Sequence, residues 1–105
     1  MKEDTEYQIY IGCYDAQLHE ETVSVDELRE MVMRFFRQKK INFTIYSSKG
    51  GYIYDDGRFI SENTLCIDLI GAGDLDIIKL AKALSTYMNQ ECSLVIKEPV
   101  KAKYY

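Results

Sequence analysis

His19 is the only histidine of the chain, and it stands among acids, with Asp15, Glu20 and Glu21 nearby. Imidazole beside carboxylates is the material of a metal cluster or an acid–base pair. All four residues fall on one polar loop, DAQLHEET, whereas ligands and catalytic groups need a rigid surround to fix them. A solvated loop is the expected role. Asp55-Asp56-Gly57 brings two carboxylates together, but without the further acids that a calcium loop spaces out. Between aromatic and β-branched residues it predicts a hairpin turn. Gly71-Ala72-Gly73 ahead of a helical stretch has the form of an anion cradle, yet Asp74 is placed to cap that helix and would oppose a phosphate.

The three cysteines, Cys13, Cys66 and Cys92, have no CxxC spacing, and the odd number fits neither a disulfide framework nor a zinc site. Each lies in an apolar, strand-like context and is expected as a buried free thiol. Cysteine–histidine catalysis would need His19 beside Cys13, which alternation points into the core. No residue is assigned a catalytic role, and no cofactor or metal is implied.

Strands and helices must carry whatever chemistry remains. Tyr7 to Tyr14 alternates as a strand, with Tyr7, Ile9, Ile11 and Cys13 on one side and Gln8, Tyr10, Gly12 and Tyr14 on the other. Ser24 and Glu27 form a capping box, Val23 and Leu28 a hydrophobic staple, and Leu28, Val32 and Phe35 the buried stripe of a first helix. Acids lead this helix, while Arg34, Arg37, Lys39 and Lys40 close it, which suits the macrodipole. INFTIYSS reads as the second strand, followed by YIY, the turn DDG and RFIS. NTLCIDLIG reads as the third main strand. A second helix carries Ile77, Leu80, Ala81, Leu84 and Met88 on one face and stops at Asn89. The last strand spans Cys92 to Lys97, with Pro99 marking an edge or an end and VKAKYY extending the segment.

This order, β-α-β-hairpin-β-α-β, predicts an α+β ferredoxin-like βαββαβ sandwich, residues 1–105 forming one domain. Two helices cover one face of a four-stranded antiparallel sheet, and an extended β-hairpin arm occupies about 50–63. Alternation leaves the other face open, with Tyr10, Tyr14, Thr44, Tyr46, Cys66 and Asp68 on it, completed by Ser93, Val95 and Lys97. Such aromatic faces are contact surfaces. The expected contact residues are Tyr10, Tyr14, Tyr46, Tyr52, Tyr54, Arg58 and Phe59.

At 105 residues, 47% hydrophobic and 29% charged, the chain is composed as an ordinary globular domain. No apolar run approaches the roughly 20 residues that span a bilayer. The charged MKEDTE start is unlike a secretory signal, so the cytoplasm is the expected compartment. The net charge of −4 is uneven, with the acids crowded into residues 1–30. That disfavours direct nucleic-acid binding and favours a basic protein partner, while the open sheet face suits a second copy in a homodimer.

RNA-recognition modules share the topology, but their basic-glycine-aromatic run is missing, and Asp68 stands where a phosphate would pass. Acylphosphatases share it too, yet acids occupy the loop that should hold their anion-binding arginine. The stretch FTIYSSKGGYIYDDGRFISENTLCIDLI, with the helix and strand behind it, resembles small ferredoxin-like bacterial and mobile-element proteins of unassigned function. That resemblance implies the fold. It also fits a non-catalytic, acidic interaction module that inhibits a nucleic-acid-binding protein, in the manner of anti-CRISPR proteins. ACT-type sensor domains and dimeric α+β-barrel enzymes have the same order. They imply a small ligand held between subunits, here near Gly71 to Asp74, or an enzyme using His19.

Overall fold

Alternating side chains fix how the sheet is buried. In strand β1 (Lys2–Gly12) the odd residues Tyr7, Ile9 and Ile11 are fully buried, while the even residues between them are only partly so. The computed structural model describes residues 1–15, 20–21, 24–90 and 94–105, and only the backbone of 14–15, 20–21, 52 and 60. Two short strands, β2 (Tyr14–Asp15) and β3 (Glu20–Glu21), pair with each other beyond β1. Helix α1 (Val25–Lys39), strands β4 (Thr44–Ile53) and β5 (Phe59–Ile70), helix α2 (Ile77–Met88) and strand β6 (Leu94–Ala102) follow.

The main sheet has the order β4-β5-β1-β6, every neighbouring pair antiparallel. Strands β1 and β4 are therefore parallel and joined through α1, and β5 and β6 are joined through α2. This is the ferredoxin-like βαββαβ arrangement, with both helices on one face. Leu28, Val32, Phe35 and Phe36 of α1 and Ile77, Ala81, Leu84 and Met88 of α2 pack over Tyr7, Ile9, Ile11, Leu65, Ile67 and Leu69. Burying each large aliphatic or aromatic side chain contributes about 1.5–3 kcal/mol, so this layer holds the helices to the sheet. Phe36 stacks on Phe43, centroids 5.4 Å apart, and fastens the α1–β4 connection.

Ser24 Oγ accepts from the Glu27 amide at 3.1 Å, as a Ser-x-x-Glu cap requires. Lys40, in the left-handed region at φ 58°, ends α1. The α2 cap is Asp76, whose Oδ1 accepts from the Lys79 amide at 3.1 Å. Asp74, expected there, is exposed and two residues too early, because the glycine-rich segment needs further residues to descend onto the helix axis. Asn89 ends α2 in the left-handed region, as expected.

Strands β4 and β5 pair from Thr44↔Asp68 out to Ile53↔Phe59 and so continue past the helices as a hairpin arm. Its tip is closed by the Tyr54 amide donating to the Arg58 carbonyl and the Gly57 amide to the Tyr54 carbonyl, both at 2.9 Å. Gly57 has φ +89°, where a side chain would be strained. Strand β1 begins at Lys2 rather than Tyr7, because the tail pairs with it as far as Lys2↔Ala102. Pro99 lies opposite Thr5 on the edge strand β6, where its missing donor costs no ladder bond on the outer side. No helix among the described residues is long and apolar enough to cross a membrane.

Candidate functional site

On the uncovered face the even residues of β1, β4, β5 and β6 line up in rows across the strands. The register gives one row of Tyr46, Cys66, Tyr10 and Leu94, and beside it Thr44, Asp68, Gln8 and Ile96. A third row carries Ile70, Glu6 and Glu98. Successive rows lie about 7 Å apart, two strand residues along.

Tyr10 and Tyr46 therefore flank Cys66. Although no helix covers it, Cys66 is only 3% exposed, and its Sγ lies 3.5 Å from Ser48 Oγ. The two tyrosines are hydrogen-bonded to each other. Burial, then the neighbouring Cys66, Tyr10 and Asp68, raises the Tyr46 phenol above its ordinary range. Tyr46 keeps 46% of its surface exposed, so solvent screens much of this effect. The pair offers aromatic faces with hydroxyl edges to whatever lies on the sheet.

Beside the tyrosines is a carboxylate group drawn from three strands. Glu6 is raised to about 7, first by burial, then by a hydrogen bond and repulsion from Asp68, then by Glu98. Asp68 has a buried Oδ1 with no hydrogen-bond partner. No lysine or arginine forms an ion pair with the trio among the described residues. Nor do any His, Cys, Asp and Glu residues there converge to hold a metal ion. The chemistry on offer is proton sharing and attraction of an organic cation, with the aromatic pair one row away.

Of the residues expected at the site, Tyr10 and Tyr46 come together, with Thr44, Cys66 and Asp68 beside them. Tyr54, Arg58 and Phe59 belong to the arm. The Arg58 guanidinium lies 4.9 Å from the Tyr54 ring centroid, and its Nε donates to Asp56 Oδ2 at 2.7 Å. Asp56 Oδ1 also accepts from the Arg58 amide, so Asp55-Asp56-Gly57 is a turn. Tyr14 pairs in β2 and Tyr52 in β4 through their backbones. His19, Cys92 and Ser93 lie outside the described residues.

Strand β6 corrects the expected face. Val95 pairs with Ile9 and Lys97 with Tyr7, so both point to the helix side. Val95 packs on the core, and the Lys97 ammonium lies 5.8 Å from the Tyr7 ring centroid. Leu94, Ile96 and Glu98 take the open face instead. Glu6 and Glu98 went unnoticed because they lie where the sequence reads as a charged start and a tail, whereas Gln8 falls on the side expected for it. Extending the alternation of β1 back from Tyr10 would have placed Glu6 correctly.

The Gly71-Ala72-Gly73 segment is occupied by its own chain. The Tyr7 hydroxyl donates to the Gly73 carbonyl at 3.3 Å and accepts from the Leu75 amide at 3.0 Å. Tyr104 donates to Asp4 Oδ2 at 2.8 Å and lies over Gly71, where an added Cβ would come within 2.8 Å of its hydroxyl. These contacts brace the segment from within, while Gly73 and Asp74 stay exposed.

No family model matches the chain, and no curated protein matches it. Among the solved structures that match, two are alike over nearly the whole length. One is a phage SAM lyase in complex with S-methyl-5'-thioadenosine, at TM-score 0.60 and 15% identity, covering 97% of this chain and 92% of that one. The other is a phage SAM lyase in the apo state, at TM-score 0.59 and 15% identity, covering 98% and 93%. At that identity the likeness is one of fold.

Proposed function

We propose that this chain binds a small nucleoside cation of the S-adenosylmethionine class on its open sheet face. The observation that carries this reading is the row Tyr46–Cys66–Tyr10 with Asp68 and Glu6 one and two rows along. A heteroaromatic ring stacks on tyrosine regardless of its substituents, contributing about 1–3 kcal/mol per base. A sulfonium or ammonium group attached to the same molecule then falls beside carboxylates that have no cation of their own. Cation–π attraction to the tyrosine faces adds to this. The likeness of fold to a lyase seen with S-methyl-5'-thioadenosine supports the ligand class.

Titration calorimetry with S-adenosylmethionine and with S-methyl-5'-thioadenosine tests the reading. Tighter binding of the cation than of the neutral thioether is expected, and affinity should fall in Tyr10→Ala and Tyr46→Ala. Loss of the S-adenosylmethionine peak on chromatography after incubation would make the protein an enzyme rather than a sensor. If neither compound produces heat with folded protein, the reading fails, and the same tyrosines are left to the interaction-module reading.

A further inference from the structure

Asp4 and Glu6 stand two residues apart on β1 and share its open face, yet the fold moves their carboxyl groups in opposite directions. Asp4 accepts from the Tyr104 hydroxyl at 2.8 Å and from the Thr5 amide at 2.7 Å, and these donors hold it below its ordinary range. Glu6 meets carboxylates instead. Glu98 stands directly opposite it on β6, and Asp68 on β5 lies one row along, opposite Gln8. Like charges set across neighbouring strands repel. Burial first, then Asp68 and Glu98, raise Glu6 to about 7.

No cation relieves this crowding. The other titratable groups on the face are Asp4, which stays ionised, and Tyr10 and Tyr46. Lys2 acts on Asp4. Lys97, next to Glu98 in sequence, points to the helix side and lies over the Tyr7 ring. Lys101 stands opposite Glu3 on that same side, and Lys103 of the tail lies over the Tyr105 ring. Among the described residues no lysine or arginine forms an ion pair with Glu6, Asp68 or Glu98. Asp68 also keeps a buried Oδ1 with no hydrogen-bond partner. The group has room in its charge balance for one positive charge, and a proton fills it when nothing else does.

We infer that ligand binding on this face is proton-linked, the sulfonium arriving as a proton leaves the Glu6–Asp68–Glu98 group for solvent. This rests on the proposed function and adds to it a dependence on pH. Proton and organic cation neutralise the same carboxylates, so each weakens the binding of the other, and the coupling is reciprocal. Affinity for the cation therefore climbs as pH rises toward about 7, where Glu6 ionises, and levels off above it. A neutral nucleoside gains nothing from that ionisation.

The α-amino group of S-adenosylmethionine itself titrates near neutral pH. The probe is therefore the S-methylated sulfonium of S-methyl-5'-thioadenosine, which carries the charge without the amine, and its neutral parent is the control. Calorimetry should show the cation binding about tenfold more weakly at pH 6 than at pH 8. Comparing two buffers of different ionisation enthalpy at pH 6 should reveal about one proton released per ligand. The parent should bind alike at both pH values. Glu6→Gln, folded by circular dichroism, should give the cation one affinity throughout, and Glu98→Gln should move the wild-type midpoint to lower pH. Equal cation affinity at pH 6 and pH 8 in the wild type overturns the inference and leaves the proposed function standing. So does a tenfold change that survives Glu6→Gln or that the neutral parent shares. If neither compound binds at pH 8, the proposed function itself fails and takes this inference with it.

Discussion

Glu6 on β1 and Asp68 on β5 meet on the open sheet face, where burial first and then the neighbouring Asp68 raise Glu6 to about 7. The Glu6 carboxyl therefore gives up its proton close to neutral pH, beside the Tyr10–Tyr46 pair.

This arrangement makes stability depend on pH. The ordinary value for Glu6 is 4.5, and the fold raises it to about 7. Between those two values the native state holds a proton that the unfolded chain has lost, so stability falls as pH rises through the window. Above it the ionised group is carried at full cost. Glu6→Gln keeps the shape and removes the charge, so at pH 8 it should be more stable than wild type by on the order of 1 kcal/mol, after allowance for solvent screening. Near pH 4 the gain should vanish. Urea midpoints at the two pH values measure this, and an equal shift at both would refute it.

Tyr46→Ala should separate binding from stability. The residue is 46% exposed and belongs to no part of the core layer, so its loss should cost the fold little. Under the proposed function it removes a stacking surface of about 1–3 kcal/mol, a tenfold to hundredfold loss of nucleoside affinity. Calorimetry beside thermal melting tests both statements, and unchanged affinity would remove Tyr46 from the site.

Much of this face was legible in the sequence because β1, β4 and β5 alternate cleanly, with Tyr10, Tyr46 and Asp68 in polar phase beside Ile9, Ile45 and Ile67. Strand β6 was not. In LVIKEP hydrophobic residues occupy both phases, so pairing with β1 decides the side. Lys97 then lies toward the core layer with its ammonium near the Tyr7 ring, a placement that charge alone argues against. The α1 cap was legible from Ser24 and Glu27, whereas Asp74 and Asp76 both precede the α2 stripe and only the path of the glycine segment chooses between them. The carboxylate group is assembled from three strands, and no local window contains it.

Tyr7→Phe tests the loop between β5 and α2. The hydroxyl of this buried residue satisfies the Leu75 amide and the Gly73 carbonyl at once. Phenylalanine fills the same volume but leaves both groups short of a partner, at about 1–3 kcal/mol. A lower urea midpoint with an unchanged slope is expected. An unchanged midpoint would mean that water replaces the hydroxyl without cost.

Gly71 and Gly73 share a φ of +78°, yet their surroundings differ. A Cβ at Gly73 meets nothing within 4 Å, whereas at Gly71 it would press on the Tyr104 hydroxyl. Both alanine variants should pay the left-handed strain of about 1–2 kcal/mol. Gly71→Ala should also displace Tyr104 from Asp4 and lose that hydrogen bond, and so should cost more than Gly73→Ala. In a Tyr104→Ala background the tyrosine is gone, and the two alanine variants should then cost the same. A double-mutant cycle on urea midpoints measures the coupling. Equal costs for both variants already in the wild-type background would show that Tyr104 moves aside freely and does not hold the tail against Gly71.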